Sequence, residues 1–260
     1  MEKVEIFTEN IWVETSIGDF SRRIKGLSRE NYPPLRCLFC KQPTYDSGII
    51  TPNKKFTPRF SHLVQPENKE SFPLSSKSKR FKGLIGNEKN VSTEIATHRR
   101  NQFIQFSTLR EAWLICRALL GGKGRLDQTS FIRWIKIADS FGIWRYSYLP
   151  TWGIPLLLML MDNHLTLKGN SSFYYVLKRN KASNNIKWQN LEIKLEAHWV
   201  NSNNLIVQNN DKKTSFQLTI PFNQDLVNNI LDNEDFSWCT EDNLKILHAY
   251  SLKELGDTGN

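Results

Sequence analysis

Cysteine is scarce in this sequence: four residues in 260, of which only Cys37 and Cys40 lie close together, while Cys116 and Cys239 are isolated. Such sparse usage excludes a disulfide-stapled extracellular domain and favours a reducing compartment. Long apolar runs are missing as well. The longest, Ile154 to Met161, has eight residues, against the roughly 20 that a bilayer-spanning helix requires. The first residues, Met1 to Glu9, alternate charged and apolar side chains and do not place a basic stretch before an apolar one, so no secretory leader is legible. These absences predict a membrane-free, cytoplasmic protein of the cytosol or nucleus. Two further absences narrow the chemistry. There is no Gly-x-Gly-x-x-Gly and no Gly-x4-Gly-Lys-[Ser/Thr], so the common dinucleotide and phosphate-loop signatures do not apply.

What is present suffices for a substantial core. The chain is 39% hydrophobic and 12% aromatic with eight Trp, and 23% charged, which excludes disorder throughout. The net charge of +9 is concentrated: residues 54 to 100 hold eleven Lys/Arg against four Asp/Glu, and the other segments are close to balanced. The block contains Lys54, Lys55, Arg59, Lys77, Lys79, Arg80, Lys82, Arg99 and Arg100, interleaved with Phe56, Phe60, Phe72 and Phe81. Lys and Arg neutralise phosphates and release condensed counterions, and aromatic faces stack on unpaired bases. The expected partner is therefore DNA and/or RNA. A solvated basic loop without a partner is the alternative, and acidic headgroups are disfavoured because no amphipathic basic helix lies here.

The periodicity divides the chain into three. Residues 1–90 form an N-terminal module whose prolines (Pro33, Pro34, Pro43, Pro52, Pro58, Pro66 and Pro73) forbid a helix from about Tyr32 onward. It should be irregular, with short strands at most. Residues 91–168 read as helical. One long helix is expected from Ser92 or Thr93 through Ile95, Phe103, Phe106, Leu109, Trp113, Cys116 and Leu120 to Gly121-Gly122; a second starts at Asp127, and a buried third runs to Met161. Residues 169–260 change to a period of two. Strands are expected over 172–178 and 191–199, a hairpin across 205–220, and closing helices at 223–231 and 241–252. The fold class is α+β: an irregular, metal-ordered N-terminal module, a helical centre, and a C-terminal antiparallel sheet with closing helices.

Cys37-Leu38-Phe39-Cys40 is the most specific short motif. A two-residue gap lets both thiolates reach one tetrahedral ion from a tight turn; His62 follows, and His98 is the nearest fourth donor. Zinc binding would order a proline-rich segment, because metal-binding free energy there becomes folding free energy. The alternative is two reduced cysteines in a turn beside an exposed His62.

Several resemblances attach to these residues. Cys37-x2-Cys40 followed by His62-Leu63-Val64-Gln65-Pro66 resembles HNH-type nucleases, and with Phe60-Ser61-His62 it resembles the zinc ribbon of competence-type proteins. The order of a cysteine-bearing N-terminus, a basic stretch and a helical body is similar to the small large-subunits of type IV CRISPR complexes. That likeness implies a non-catalytic subunit that binds DNA beside a guide complex, with other protein subunits as partners. The competing function is a metal-dependent nuclease, carried by His62 or by Asp162, Glu192 and Lys194, the last two forming a Glu-x-Lys on an expected strand. Glu94-x3-His98 reads as a surface ion pair or an acid–base pair. Trp144, Tyr146, Tyr148 and Trp152 read as core or as a stacking cluster, and Gly121-Gly122-Lys123-Gly124 as a helix stop.

Overall fold

The computed structural model describes residues 1–50, 58–63, 73–74, 78–84, 89, 91–122, 126–166, 171–179, 193–200, 206 and 217–256, with the Lys82 side chain excluded. The chain is α+β and groups into two compact units, residues 1–78 with 137–142 and residues 79–136 with 143–260. The expected helical centre and C-terminal sheet thus share one unit.

The first unit is a sheet of five antiparallel strands in the order β2-β1-β3-β4-β5. These are β1 (Lys3–Thr8), β2 (Ile11–Ser16), β3 (Leu35–Arg36), β4 (Pro43–Ser47) and β5 (Arg59–His62). The expected irregular module is therefore a sheet, and its first hairpin corrects the sequence reading. Thr8 pairs with Ile11, leaving a two-residue loop whose Glu9 and Asn10 have φ of 50° and 63°. Two consecutive left-handed residues match the strand twist, but Glu-Asn is not the usual Asn-Gly signal for such a turn. Ser16 then caps helix α1 (Ile17–Arg23) by accepting from the Asp19 N–H at 3.1 Å. Period-two alternation sends Val4, Ile6, Leu35 and Phe60 to one face, where they pack with Phe20 and Ile24. The Phe20 ring meets Phe60 edge-on at 5.5 Å.

In the second unit, the single long helix expected after Ser92 is two: α2 (Thr93–Phe103) and α3 (Phe106–Leu119). Gln105 has extended backbone (φ −57°, ψ 137°) and starts α3. Phe103 and Ile104 are buried together with Leu109 and Trp113. These positions spread around an unbroken 3.6-residue helix, and the break lets each half bury its own face. Ile95, expected in the core, is exposed. Helix α4 (Gln128–Phe141) follows, its residues up to Lys136 in this unit and 137–141 in the first, then the short α5 (Ile154–Leu158) within the fully buried run Ile154 to Met161. No helix among the described residues is long and apolar enough to cross a membrane.

A second antiparallel sheet has the order β6-β7-β8-β9, formed by β6 (His164–Leu165), β7 (Ser172–Arg179), β8 (Ile193–Trp199) and β9 (Thr219–Pro221). On β8 the expected alternation is seen from Ile193 to Ala197, with Ile193, Leu195 and Ala197 buried and Lys194 exposed, but it ends there, because His198, expected on the wet face, is buried and Trp199 is half-buried. Most of the hairpin expected across 205–220 lies outside the described residues, and its last strand, β9, pairs with β8. Helices α6 (Gln224–Asn233) and α7 (Glu241–Leu255) close the unit, capped by Asn223 and Thr240.

Candidate functional site

The turn between β3 and β4 is built around the two cysteines. Cys37 N–H donates to the Gln42 carbonyl at 2.9 Å, and Lys41 N–H to the Cys37 carbonyl at 3.1 Å, closing the loop. Lys41 carries the reversal with φ of 58°. Inside the turn the Phe39 amide points at Cys37 Sγ from 3.4 Å. The arrangement turns both sulfurs to one side, the inward face of the sheet.

His62 arrives from β5. Thr44 pairs with His62 in the β4–β5 register, and because Phe60 faces the core, so does His62 two residues on. His62 Nε2 lies 3.2 Å from Cys40 Sγ. The donor atoms of Cys37, Cys40 and His62 all lie within 4.8 Å of one another. A tetrahedral zinc ion, with bonds of about 2.3 Å to sulfur and 2.0 Å to nitrogen, sets its donors about 3.5–3.8 Å apart, so movements of about 1 Å suffice.

The electrostatics suit a cation. The Cys37 thiol donates to Cys40 and is buried, which pushes its pKa up to about 12. Accepting that hydrogen bond brings Cys40 down to about 7, against the effect of burial. The pair is thus polarised, with Cys40 shifted toward the thiolate that a divalent ion requires. Thr44 Oγ1, on the same inward face, is buried without a hydrogen-bond partner. The donor set fits a metal ion, with the Phe39 amide donating to the Cys37 sulfur from outside it.

The fourth donor expected from the sequence is not in this cluster. His98 is an exposed residue of α2 in the second unit. Among the described residues no other ligand joins the three.

The opposite face of the sheet holds a different set. Phe7 stacks on Trp12 at 5.1 Å, and the Arg36 guanidinium lies 4.1 Å from the centroid of Trp12. Glu5 accepts from Arg36 and from Lys41. Tyr45 pairs with Ser61 and is exposed, and Arg59 pairs with Ser47. Arg59 is exposed, and no carboxylate pairs with it among the described residues. Sequence reasoning missed Phe7, Trp12, Arg36 and Tyr45; the alternation of Lys3-Val4-Glu5-Ile6-Phe7 was the signal that would have found them.

The other cations of the basic block have varied fates. Lys54, Lys55 and Lys77, and the side chain of Lys82, lie outside the described residues. Lys79 is half-buried. Arg80 corrects the expectation of a surface phosphate contact, because it is fully buried. Its Nη1 donates to the carbonyl oxygens of Leu160, at 3.0 Å, and of Asp162, its Nη2 bonds Asn163 Oδ1, and its Cζ lies 4.8 Å from the centroid of Tyr174. Burial pushes it down to about 9, opposed by Asp162, so it remains charged at neutral pH. Arg99 is likewise spent on structure, donating to the Trp144 and Tyr146 carbonyls at 2.8 Å each. Arg100 is half-buried and reaches the Leu255 carbonyl at 3.5 Å. Of Trp144, Tyr146, Tyr148 and Trp152, the first two are core and Tyr148 is exposed.

Of the residues of the two nuclease readings, His62 lies in the thiol cluster described above, and Asp162 and Lys194 are each engaged by other side chains. Asp162 accepts from Arg133, from Trp134 Nε1 at 3.1 Å and from the Asn163 N–H at 2.8 Å. Lys194 is paired with Glu196 at 2.9 Å, and Glu192 lies outside the described residues. No family model matches the chain, and no curated protein or solved structure matches it.

Proposed function

We propose that this protein binds nucleic acid through its N-terminal unit, which a zinc ion at Cys37, Cys40 and His62 orders. The observation that carries the reading is the register of β5. In four residues it sends Phe60 and His62 inward, to the core and the thiol pair, and Arg59 and Ser61 outward beside Tyr45. The strand that supplies a metal donor therefore also presents a cation, and the connection preceding it carries Lys54 and Lys55. Cations that track phosphates beside exposed aromatic rings are the parts of a single-strand binding face. On this reading the metal is structural, holding the strand ends so that the outward side chains keep their spacing. The likeness to small large-subunits of type IV CRISPR complexes extends the proposal: the chain would act as one subunit of a larger nucleoprotein assembly.

The test is fluorescence anisotropy with single-stranded and duplex oligonucleotides across a salt series. Replacing Lys54, Lys55 and Arg59 with Glu should weaken binding at least tenfold and make the salt slope shallower by about 0.7–0.9 per lost phosphate contact. Trp12→Ala should weaken single-strand binding by about 1–3 kcal/mol while leaving that slope alone. Affinity unchanged in both variants at fixed ionic strength would refute the proposal.

A further inference from the structure

The second unit contains a buried arginine held differently from Arg80 and Arg99. Arg117 on α3 is only 7% exposed, yet no hydrogen bond or ion pair joins its side chain to any described residue. Its Nε is sealed from solvent and has no partner. What surrounds the guanidinium is aromatic. Its Cζ lies 3.9 Å from the centroid of Trp238 and 4.8 Å from that of Trp113, and the two rings meet edge-on at 5.9 Å.

One ring is fixed by its own bond and the other by the turn that carries it. Trp113 Nε1 donates to the Leu126 carbonyl at 3.2 Å. Trp238 sits in a turn in which the Cys239 N–H donates to the Phe236 carbonyl at 2.8 Å. Indole faces attract the charge of a guanidinium but offer no acceptor to its in-plane N–H groups. The cation is thus held in place while its Nε–H, sealed from solvent, goes without an acceptor, which is costly for a donor taken out of water.

The electrostatic surroundings name the missing acceptor. Burial pushes the Arg117 pKa down, and Cys239 and Asp127 oppose that effect without bonding to it. The Asp127 carboxylate is occupied by the Ser130 N–H at 2.7 Å and the Ser130 hydroxyl at 3.0 Å, at the start of α4. The exposed Arg110 lies two turns earlier on α3, and both arginines act on the Cys239 thiol. Two guanidinium groups without a carboxylate partner present more positive charge than one carboxylate can balance. A phosphate group can carry two charges and accept the bidentate fork.

We propose that Arg117, clamped between Trp113 and Trp238 and supported by Arg110, is a phosphate-binding site. It lies in the second unit and does not depend on the nucleic-acid reading of the first. The phosphate can belong to a small phosphorylated molecule or to the end of a nucleic-acid strand, and the probes separate these sources.

The full chain is titrated at fixed ionic strength with inorganic phosphate, with adenosine 5′-monophosphate, and with a single-stranded oligonucleotide bearing either a 5′-phosphate or a 5′-hydroxyl. Tryptophan emission and calorimetry are the readouts, because two indoles touch the fork. A saturable response is expected, weakened at least about tenfold in Arg117→Met and several-fold in Arg117→Lys, which keeps the charge but not the fork. Arg110→Gln, on the surface, should weaken phosphate binding several-fold with an unchanged melting curve, and it carries the test if Arg117→Met does not fold. Tighter binding of the 5′-phosphorylated strand than of the 5′-hydroxyl strand, with the difference lost in the Arg117 variants, assigns a strand end; equal binding of the two strands beside a saturable response to inorganic phosphate or adenosine 5′-monophosphate assigns a small ligand. Absence of a saturable response in the native chain, or equal affinities in the native chain and the Arg110 and Arg117 variants, would show that Arg117 only braces the two tryptophans.

Discussion

The two units solve the problem of burial differently. In the first, the core cluster of fully buried side chains is small: Val4, Ile6, Phe20, Ile24, Leu35 and Phe60. Met1, Val13, Ile17, Tyr32 and Ile49 pack partly buried against it among the described residues, and the cysteine–histidine cluster adds a tie between the β3–β4 turn and β5. The second unit has the buried run Ile154 to Met161, the helices around Trp113 and Phe131, and a central strand, β7, buried from Phe173 through Leu177. It has enough core to take cations inside and satisfy them with carbonyl oxygens. Arginine therefore means opposite things in the two places: at Arg59 an outward charge, at Arg80 and Arg99 an internal clip.

That contrast can be broken most severely at the cysteine–histidine cluster. Replacing Cys37 with Ser and His62 with Ala, or adding a chelator, should remove amide-exchange protection from residues 35–47 and 59–62 while α3 and α6 stay protected. Structural zinc contributes as much as about 10–16 kcal/mol in isolated zinc-finger peptides, so this is the largest effect expected. Equal loss of protection in both units would contradict the division of labour. Next comes Arg80→Ala, which strips donors from the Leu160 and Asp162 carbonyls and from Asn163. A loss of about 3–5 kcal/mol in chemical denaturation is expected, with nucleic-acid affinity unchanged under folding conditions. Arg59→Glu should do the reverse, lowering affinity and sparing stability.

The smallest effect concerns pH. His164 in the second unit is buried against Trp134, Phe173 and Tyr175 and bonds the Met159 carbonyl through Nε2 at 2.8 Å. Burial lowers its pKa below the ordinary imidazole value. The unfolded chain therefore takes up this proton first. The stabilisation is complete above about pH 6.5 and is lost as pH falls from there toward the depressed value. Urea midpoints measured between pH 7.5 and 5 should fall in the native chain and fall less in His164→Gln. Parallel pH dependence in the two would exclude His164 as the source.

How much was legible varies with the range of the interaction. The Cys37-x2-Cys40 turn was readable because both donors and the reversal between them sit within a few residues, and His62 as the first histidine after the pair, although the strand that carries it was not. The closing helices were readable because Asn223 and Thr240 are caps and their effect is local. The first hairpin was missed because its turn uses Glu9 and Asn10, which do not advertise left-handed backbone. The broken helix at Gln105 was missed because a run of apolar residues at roughly helical spacing does not say whether one face or two will be covered.

Composition and spacing alone determined the α+β class, the thiol pair, the excess of cations after it and the lack of a long apolar segment, because each is a property of neighbouring residues. Only tertiary structure decided what each cation does. Arg80 and Arg59 belong to the same basic block, but one meets carbonyl oxygens eighty residues away and the other meets solvent. The free energy of a charge depends on the acceptors and the dielectric around it, and those are supplied by distant parts of the chain.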